Sequence, residues 1–480
     1  MTAVWRRRRS RATGQSEKDP RQPTGGGWRA WLGVSPYHRN PIHVLLANPG
    51  VIAALVLALA LMLRVLEVQG PAYTPAHNAR AYLTLGGQIA NSGDYASQQV
   101  GAGGTRVGPT AYYAPGYPYL LGALNAISGH VATSASQIHV DRLAQAVLGT
   151  VVVGIIGLIA LELFGVDMAL LAMALAAIYP PMIEMSSVLS AQTLMTVFEL
   201  SAVLTAVRMR RSPDPLRWAM ATGLFTGLAA LTHASAIVLI VPLGVAASSV
   251  VPVVGRRQVA GLLVLIASTL LTLSPWLIRD GLVMHRFVPI TDASGITLSG
   301  TYNPTSAHAR PPYGWVYYRQ VPADAGIAAR ASRLSETQLS SRLDGRALSY
   351  VAHHPAAVLG AGWHNTLRLA ELDGSAAWHQ SAQAIGLTRA TADIGMICFW
   401  GLGVLALLGL VAPLGLRAPG WLWGVPVAMW LVTVPVNAQT PSFRSAIDPF
   451  LILLGARGIA RVARWMRRRP AAVARSRVAV

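Results

Sequence analysis

The feature that most constrains this chain is a succession of long apolar runs divided by short, arginine-bearing connectors. A helix needs roughly 20 mostly apolar residues to cross the hydrocarbon of a bilayer, where every backbone polar group must be satisfied within the segment. Runs that qualify, or nearly so, lie at about 47–67, 141–164, 167–184, 186–208, 215–233, 235–252, 259–278, 392–413, 420–436 and 446–463. The pattern predicts an all-α integral membrane protein with about ten transmembrane helices. Composition agrees. Over 480 residues, 53% are hydrophobic, only 12% are charged and the mean hydropathy is +0.45, which does not suit a soluble globular chain.

The formal net charge of +20 would point to nucleic acid in a soluble protein. Here the basic residues collect at the two ends and in the connectors, among them Arg208, Arg210, Arg211, Arg256, Arg257 and Arg417. That is the positive-inside pattern of a multi-pass membrane protein, so nucleic acid is not an expected partner. With both termini cytoplasmic, all these connectors fall on one side. Residues 1–44 read as a disordered basic cytoplasmic arm lacking the apolar core of a cleavable signal peptide. Residues 45–465 read as the transmembrane domain, and 466–480 as a basic cytoplasmic tail. Cys398 is the one cysteine, which excludes an intrachain disulfide and a cysteine-cluster metal site. Lysine is nearly absent beside abundant arginine and alanine, a composition that places the protein in a bacterial plasma membrane.

This orientation leaves two large extracytoplasmic loops, at 69–138 and 280–390. Long loops without repeats are usually functional. The first opens with an amphipathic helical pattern over 74–95 that ends in a Ser92-Gly93 turn. A second segment, 109–128, is too short to span and carries Tyr112, Tyr113, Tyr117 and Tyr119, which predicts a helix at headgroup depth. At the outer end of the first run, Arg64 and Glu67 stand three apart and read as an i,i+3 ion pair. The segment at about 322–378 reads as amphipathic helices on the outer surface that cap the site.

The order of several short motifs resembles the polytopic GT-C glycosyltransferases of the dolichyl-phosphate-mannose protein mannosyltransferase type, which include the bacterial aminoarabinose transferases of lipid A. The motifs are Pro115-Gly116-Tyr117-Pro118, Arg142 with Leu163-Phe164-Gly165, Tyr179-Pro180-Pro181, Ala191-Gln192-Thr193-Leu194, and Ser274-Pro275-Trp276-Leu277-Ile278-Arg279-Asp280. They continue through Gly300-Thr301-Tyr302-Asn303-Pro304 to Ser442-Phe443-Arg444 and Asp448-Pro449-Phe450. The resemblance covers roughly 45–465 and implies transfer of a sugar from a polyprenyl-phosphate carrier to an extracytoplasmic hydroxyl of a protein, lipid or cell-wall glycan. It implies a lipid carrier and an outer acceptor as partners, and a site between the two outer loops.

Arginine is the natural partner of a phosphate, since its planar fork stays charged and binds two oxygens at once. Arg279 and Arg444, each at the outer end of a span, are the expected lipid-phosphate ligands. Arg80, Tyr82, Tyr117, Asp292, Tyr302 and Asn303 are the expected sugar or acceptor contacts. The general base is the open point. Where the resembled family carries Asp-Ala-x-x-Tyr, this chain has Asn78-Ala79-Arg80-Ala81-Tyr82, and an amide takes no proton at neutral pH. Adjacent His77 titrates near neutrality, and Asp94 follows the turn at Gly93. The base is therefore His77 or Asp94, or the chain is a catalytically impaired relative that binds lipid-linked sugars. Gln192 likewise stands where an acid is expected. No metal ligands are assigned from the sequence, and a divalent metal is left open, because His353 and His354 are adjacent and the outer loops carry no acidic cluster of the kind that binds a divalent cation. The competing class is a transporter, for which Glu199 is the one mid-span acid and no internal repeat is present.

Overall fold

Among the described residues the expected apolar runs fall largely on helices, some of them broken within a run, and the helix ends follow from local chemistry. The computed structural model describes residues 48–70, 73–98, 107–249, 256–411, 418–436 and 441–478, so the arm expected at 1–44 and the connector residue Arg417 lie outside the described residues. Helix α1 (Pro49–Gln69) is followed by the first long loop, which holds α2 (Asn78–Ser92), a two-stranded antiparallel hairpin of β1 (Ala96–Gln98) and β2 (Val107–Pro109), and α3 (Gly116–Ser128). The fold is helical as expected, with this small hairpin added, whose register pairs Ala96 with Pro109 and Gln98 with Val107. Three residues per strand are too few for an alternating pattern to stand out in the sequence.

Helix α4 (Ala135–Phe164) starts where Ser134 accepts a hydrogen bond from the N–H of Gln137, and it stops at Gly165, whose φ of 93° continues no helix. Beyond that glycine runs α5 (Val166–Ile178), which ends before Pro180 and Pro181; these open the short α6 (Pro180–Met185). Ser190 caps α7 (Ala191–Met209), and Pro215 opens α8 (Pro215–Thr232). A 3₁₀ turn at Ala234–Leu239 leads into α9 (Ile240–Ser248), followed by α10 (Arg256–Val283), which carries Pro275 inside it. The second long loop contains α11 (Ser294–Thr301), α12 (Pro304–Ala307), α13 (Ala325–Ala328), α14 (Glu336–His353), α15 (Ala356–Leu369) and α16 (Ser375–Ala384). The chain closes with α17 (Arg389–Leu410), α18 (Gly420–Thr433) and α19 (Asp448–Val478), the last continuing through most of the expected tail.

Among the described residues, four helices are long and apolar enough to cross a membrane by length and composition: Pro49–Gln69, Ala135–Phe164, Val259–Val283 and Arg389–Leu410. Shorter apolar helices occupy Val166–Ile178, Ala234–Ser248 and Gly420–Thr433. The main core is formed largely by α4, α5, α7, α8, α9, α18 and α19, with fully buried Ile156, Ile159, Ala202, Leu239, Leu243 and Leu422. Small residues let the helices close up, as is usual in lipid. A Cβ on Gly409 of α17 would strike the carbonyl of Leu454, and one on Gly458 of α19 would strike that of Leu405. At the other end of α4, Glu162 pairs with Arg208 at 3.2 Å and Arg211 at 2.9 Å.

The expected Arg64–Glu67 pair does not form. Arg64 is fully buried and turns away from its helix neighbour, donating from Nε to Ser186 Oγ at 3.3 Å and from Nη1 to the carbonyls of Ala60 at 3.0 Å and Ala177 at 3.4 Å. Burial among packed helices offers it closer acceptors than a carboxylate left part-exposed one turn away.

Candidate functional site

The two long loops meet at a junction built on three consecutive elements of the first loop. Helix α2 ends at Gly93, φ 76°, where the left-handed conformation that suits glycine turns the chain into the hairpin. The hairpin brings Tyr95 back beside Thr110, whose N–H donates to the Tyr95 carbonyl at 3.3 Å. Arg279, near the outer end of α10, grips this point: Nη1 donates to the Thr110 carbonyl at 2.7 Å and Nη2 to the Tyr95 carbonyl at 3.0 Å. Its guanidinium lies over the rings of Trp276, at 4.8 Å, and Tyr95, at 5.4 Å. Nη1 also pairs with Asp280 Oδ1 at 2.7 Å, while Asp280 Oδ2 is buried without a hydrogen-bond partner.

The second loop holds the same stretch from the other side. Ser335 and Gln338 form a capping box at the start of α14, which presents Glu336 on the first turn. Glu336 accepts the N–H of Ala111 at 2.8 Å and the hydroxyl of Thr110 at 2.8 Å, and the N–H of Asp292 donates to the Ala111 carbonyl at 2.8 Å. Burial pushes the Glu336 carboxyl above its ordinary range, an effect that the Ala111 and Thr110 bonds oppose. Burial raises Asp292 too, against the pull of Ser340 and Arg286.

The candidate bases stand at opposite ends of α2. His77 precedes the helix in an uncommon left-handed conformation, φ 44°, and is exposed. Asn78 is exposed beside it and its Oδ1 accepts the hydroxyl of Tyr113 at 3.1 Å. Asp94 is exposed past the far end, its own N–H donating to Ser92 Oγ at 3.4 Å. Fifteen helical residues separate the two ends, about 22 Å at 1.5 Å per residue. His77 and Asp94 therefore cannot serve one reacting atom together. Asp94 adjoins Tyr95 and hence the Arg279 junction.

Of the expected sugar contacts, Asp292 joins the junction and the others do not. Tyr82 is buried edge-on between Tyr113 and Tyr117, with ring centroids 5.0 Å from each, and Tyr117 is fully buried. Tyr119, by contrast, is 45% exposed. Arg80 donates from Nε to the Pro75 carbonyl at 2.8 Å. Tyr302 donates its hydroxyl to the Pro435 carbonyl at 2.5 Å. Asn303 caps α12, accepting from the Ser306 N–H at 2.7 Å and donating to Ser299 at 2.7 Å. Arg444 is buried among acids, with Nη1 2.8 Å from Glu371 and Nε 3.2 Å from Asp448, and its guanidinium 3.8 Å above the Phe399 ring. It shares no partner with Arg279, so the two arginines are held in separate networks. Sequence reasoning missed Glu336, although Ser335-x-x-Gln338 carries a helix-start signature that would have marked its neighbour. Among the described residues, no group of three or more His, Cys, Asp or Glu side chains is placed to hold a metal ion.

Residues 113–278 match the family described as dolichyl-phosphate-mannose-protein mannosyltransferase. This segment runs from Tyr113, at the junction, to the residue before Arg279, and the resemblance read from the sequence stands. No curated protein matches the chain. Among solved structures, the chain is similar to the archaeal oligosaccharyltransferase AglB from Archaeoglobus fulgidus in complex with an inhibitory peptide and a dolichol-phosphate. The two share 13% identity with a TM-score of 0.55, over 88% of this chain and 51% of that one. It also matches ArnT from Cupriavidus metallidurans bound to undecaprenyl phosphate, at 16% identity and a TM-score of 0.41, over 85% of this chain and 78% of that one. The likeness to AglB shows a shared fold, and the chain spans about half of AglB's length. The chain is thus a helical membrane protein whose two long loops are joined through Glu336 and Asp292, beside the point that Arg279 holds.

Proposed function

We propose that this chain is a membrane glycosyltransferase that moves a sugar from a polyprenyl-phosphate carrier to a hydroxyl acceptor outside a bacterial plasma membrane. In this reading it crosses the bilayer about ten times and keeps both termini in the cytoplasm. The observation that carries the reading is the junction itself: a cation, three acids and an exposed carboxylate gathered where the two outer loops meet the end of α10, in a chain that shares the AglB fold and the mannosyltransferase family match. The AglB whose fold this chain shares is in complex with a dolichol-phosphate, a lipid phosphate of the carrier class that the reaction needs.

In the reaction, the acceptor hydroxyl oxygen bonds to the anomeric carbon as the bond from that carbon to the lipid phosphate oxygen breaks. The phosphate leaves with the electron pair, and the acceptor proton goes to a base. Asp94 is the better base, because it is exposed and adjoins the residue that Arg279 holds, whereas His77 sits at the remote end of α2. Arg279 has donors beyond those given to Thr110, Asp280 and Tyr95, and in this reading they take the departing phosphate. Arg444 acts at a distance by fixing the outer end of α19. Asp292 contributes to holding the sugar or acceptor.

The test is release of sugar from a radiolabelled polyprenyl-phosphate sugar panel by the protein in lipid. Turnover by the wild type that is lost in Asp94→Asn supports the assignment. A silent wild type that Asn78→Asp awakens identifies a lipid-sugar-binding relative instead. Silence in every variant, with no carrier bound, removes the glycosyltransferase reading in favour of a transporter.

A further inference from the structure

Helix α18 has 14 residues, about 21 Å at 1.5 Å per residue, well short of a hydrocarbon core of roughly 30 Å. Its outer end meets α15. The carbonyl of Val434, which follows α18, accepts from Asn365 Nδ2 at 2.7 Å, and Leu369 packs against Val434. Two further ties fix the depth of α15. Trp400 Nε1 donates to the carbonyl of Ala370, the residue after α15, at 3.0 Å. Trp400 lies well inside α17, about 16 Å along the axis from Arg389 at 1.5 Å per residue. Arg444, just ahead of α19, donates to the Leu369 carbonyl at 3.4 Å and pairs with Glu371. The end of α15 is therefore level with the outer ends of α18 and α19, and far below the outer tip of α17.

The free face of α15 matches that depth. Its exposed positions are Ala356, Leu359 and Trp363, with Leu359 and Trp363 78% and 63% exposed one turn apart. None is charged. Arg368 points the other way, paired with Asp373 at 2.8 Å and donating to the carbonyls of Tyr313 and Pro312. Helix α17 exposes its own apolar stripe of Ile394, Ile397, Trp400 and Val404, on a helix long and apolar enough to face lipid. Trp400 belongs to that stripe and also holds Ala370, so the stripe and the end of α15 are continuous. An exposed leucine–tryptophan pair is a liability in water and is at home at the upper edge of the acyl chains, where tryptophan concentrates.

We propose that α15 is embedded in the outer leaflet, with Leu359 and Trp363 against lipid acyl chains, and that it completes the bilayer crossing that α18 begins. The segment read from the sequence as a surface cap is in this respect part of the membrane domain. The inference stands apart from sugar transfer, since it rests on depth and polarity alone.

The test uses the full chain carrying Cys398→Ser, which removes the one native thiol, with single additions of Leu359→Cys, Trp363→Cys or, as a control, Arg330→Cys. Each is spin-labelled and placed in phosphatidylcholine vesicles, after checking that its melting temperature in detergent matches the parent. Labels at 359 and 363 are expected to collide more often with dissolved oxygen than with a water-soluble nickel chelate, and the label at 330 the reverse. Dominant collision with the chelate at 359 and 363 overturns the proposal in favour of a water-facing helix. Shielding from both reagents, with dipolar coupling between labels of two molecules, overturns it in favour of a second copy of the chain.

Discussion

Glu336 accepts the backbone N–H of Ala111 at 2.8 Å across 225 residues of sequence. With its other oxygen on the Thr110 hydroxyl, this one carboxylate ties the second outer loop to the first where Arg279 already holds both flanks of the hairpin.

Replacing Glu336 by glutamine keeps the shape but puts an amide N–H₂ against one of two donors. It leaves Thr110 or Ala111 poorly paired in a buried place, at a cost of about 1–3 kcal/mol. Hydrogen exchange over 107–113 is expected to rise in Glu336→Gln relative to the wild type, with exchange in α4 unchanged. Equal protection in both proteins would show that the junction does not depend on this bond.

The same residue gives the junction a pH dependence of definite sign. Burial holds the Glu336 and Asp292 carboxyls above their ordinary values, so the folded junction prefers the protonated forms. Their contribution to stability is complete below the ordinary carboxylate pKa of about 4 and is lost as pH rises through the raised folded values. Local exchange protection at 107–113 is expected to fall as pH rises across that window after correction for intrinsic rates, and the slope is expected to be shallower in Glu336→Gln.

Arg279→Lys preserves the charge and removes the fork. A single ammonium cannot reach the Thr110 and Tyr95 carbonyls and Asp280 in the same geometry while stacking on Trp276. A loss of at least tenfold in sugar turnover is expected, with carrier binding weakened less than in Arg279→Ala. Full activity in Arg279→Lys would show that only charge is needed there.

Arg444→Ala leaves Glu371 and Asp448 buried without their cation, which costs about 3–5 kcal/mol. Thermal unfolding in detergent should move down by many degrees, and adding Asp448→Asn should recover part of the loss. An unchanged midpoint would show that the network is dispensable.

Gly295 packs against backbone: a Cβ there would overlap the carbonyl of Ser340 in α14. Gly295→Ala is expected to cost about 1–3 kcal/mol and to loosen α11 from α14, read as faster proteolysis of the second outer loop in vesicles.

Much of this was legible in the sequence, because apolar length and connector charge are local quantities that a bilayer reads directly. They determined a helical membrane protein, and with it the positions of the two long loops. Motif order determined the family likeness, and Asn78 in place of an acid posed the question of the base. What the tertiary structure alone decided is which polar groups meet. Arg64 lies three residues from Glu67 yet bonds Ser186 instead, Arg279 and Arg444 belong to separate networks, and Tyr117 is buried. A side chain's partner is set by which distant backbone or side-chain atoms packing brings within hydrogen-bonding distance, and nothing in the spacing of residues along a helix encodes that. The depth of α15 was hidden for the same reason. Its amphipathic pattern fits a water-facing helix as well as a lipid-facing one, and only the bonds of Asn365 to Val434 and of Trp400 to Ala370 give its level.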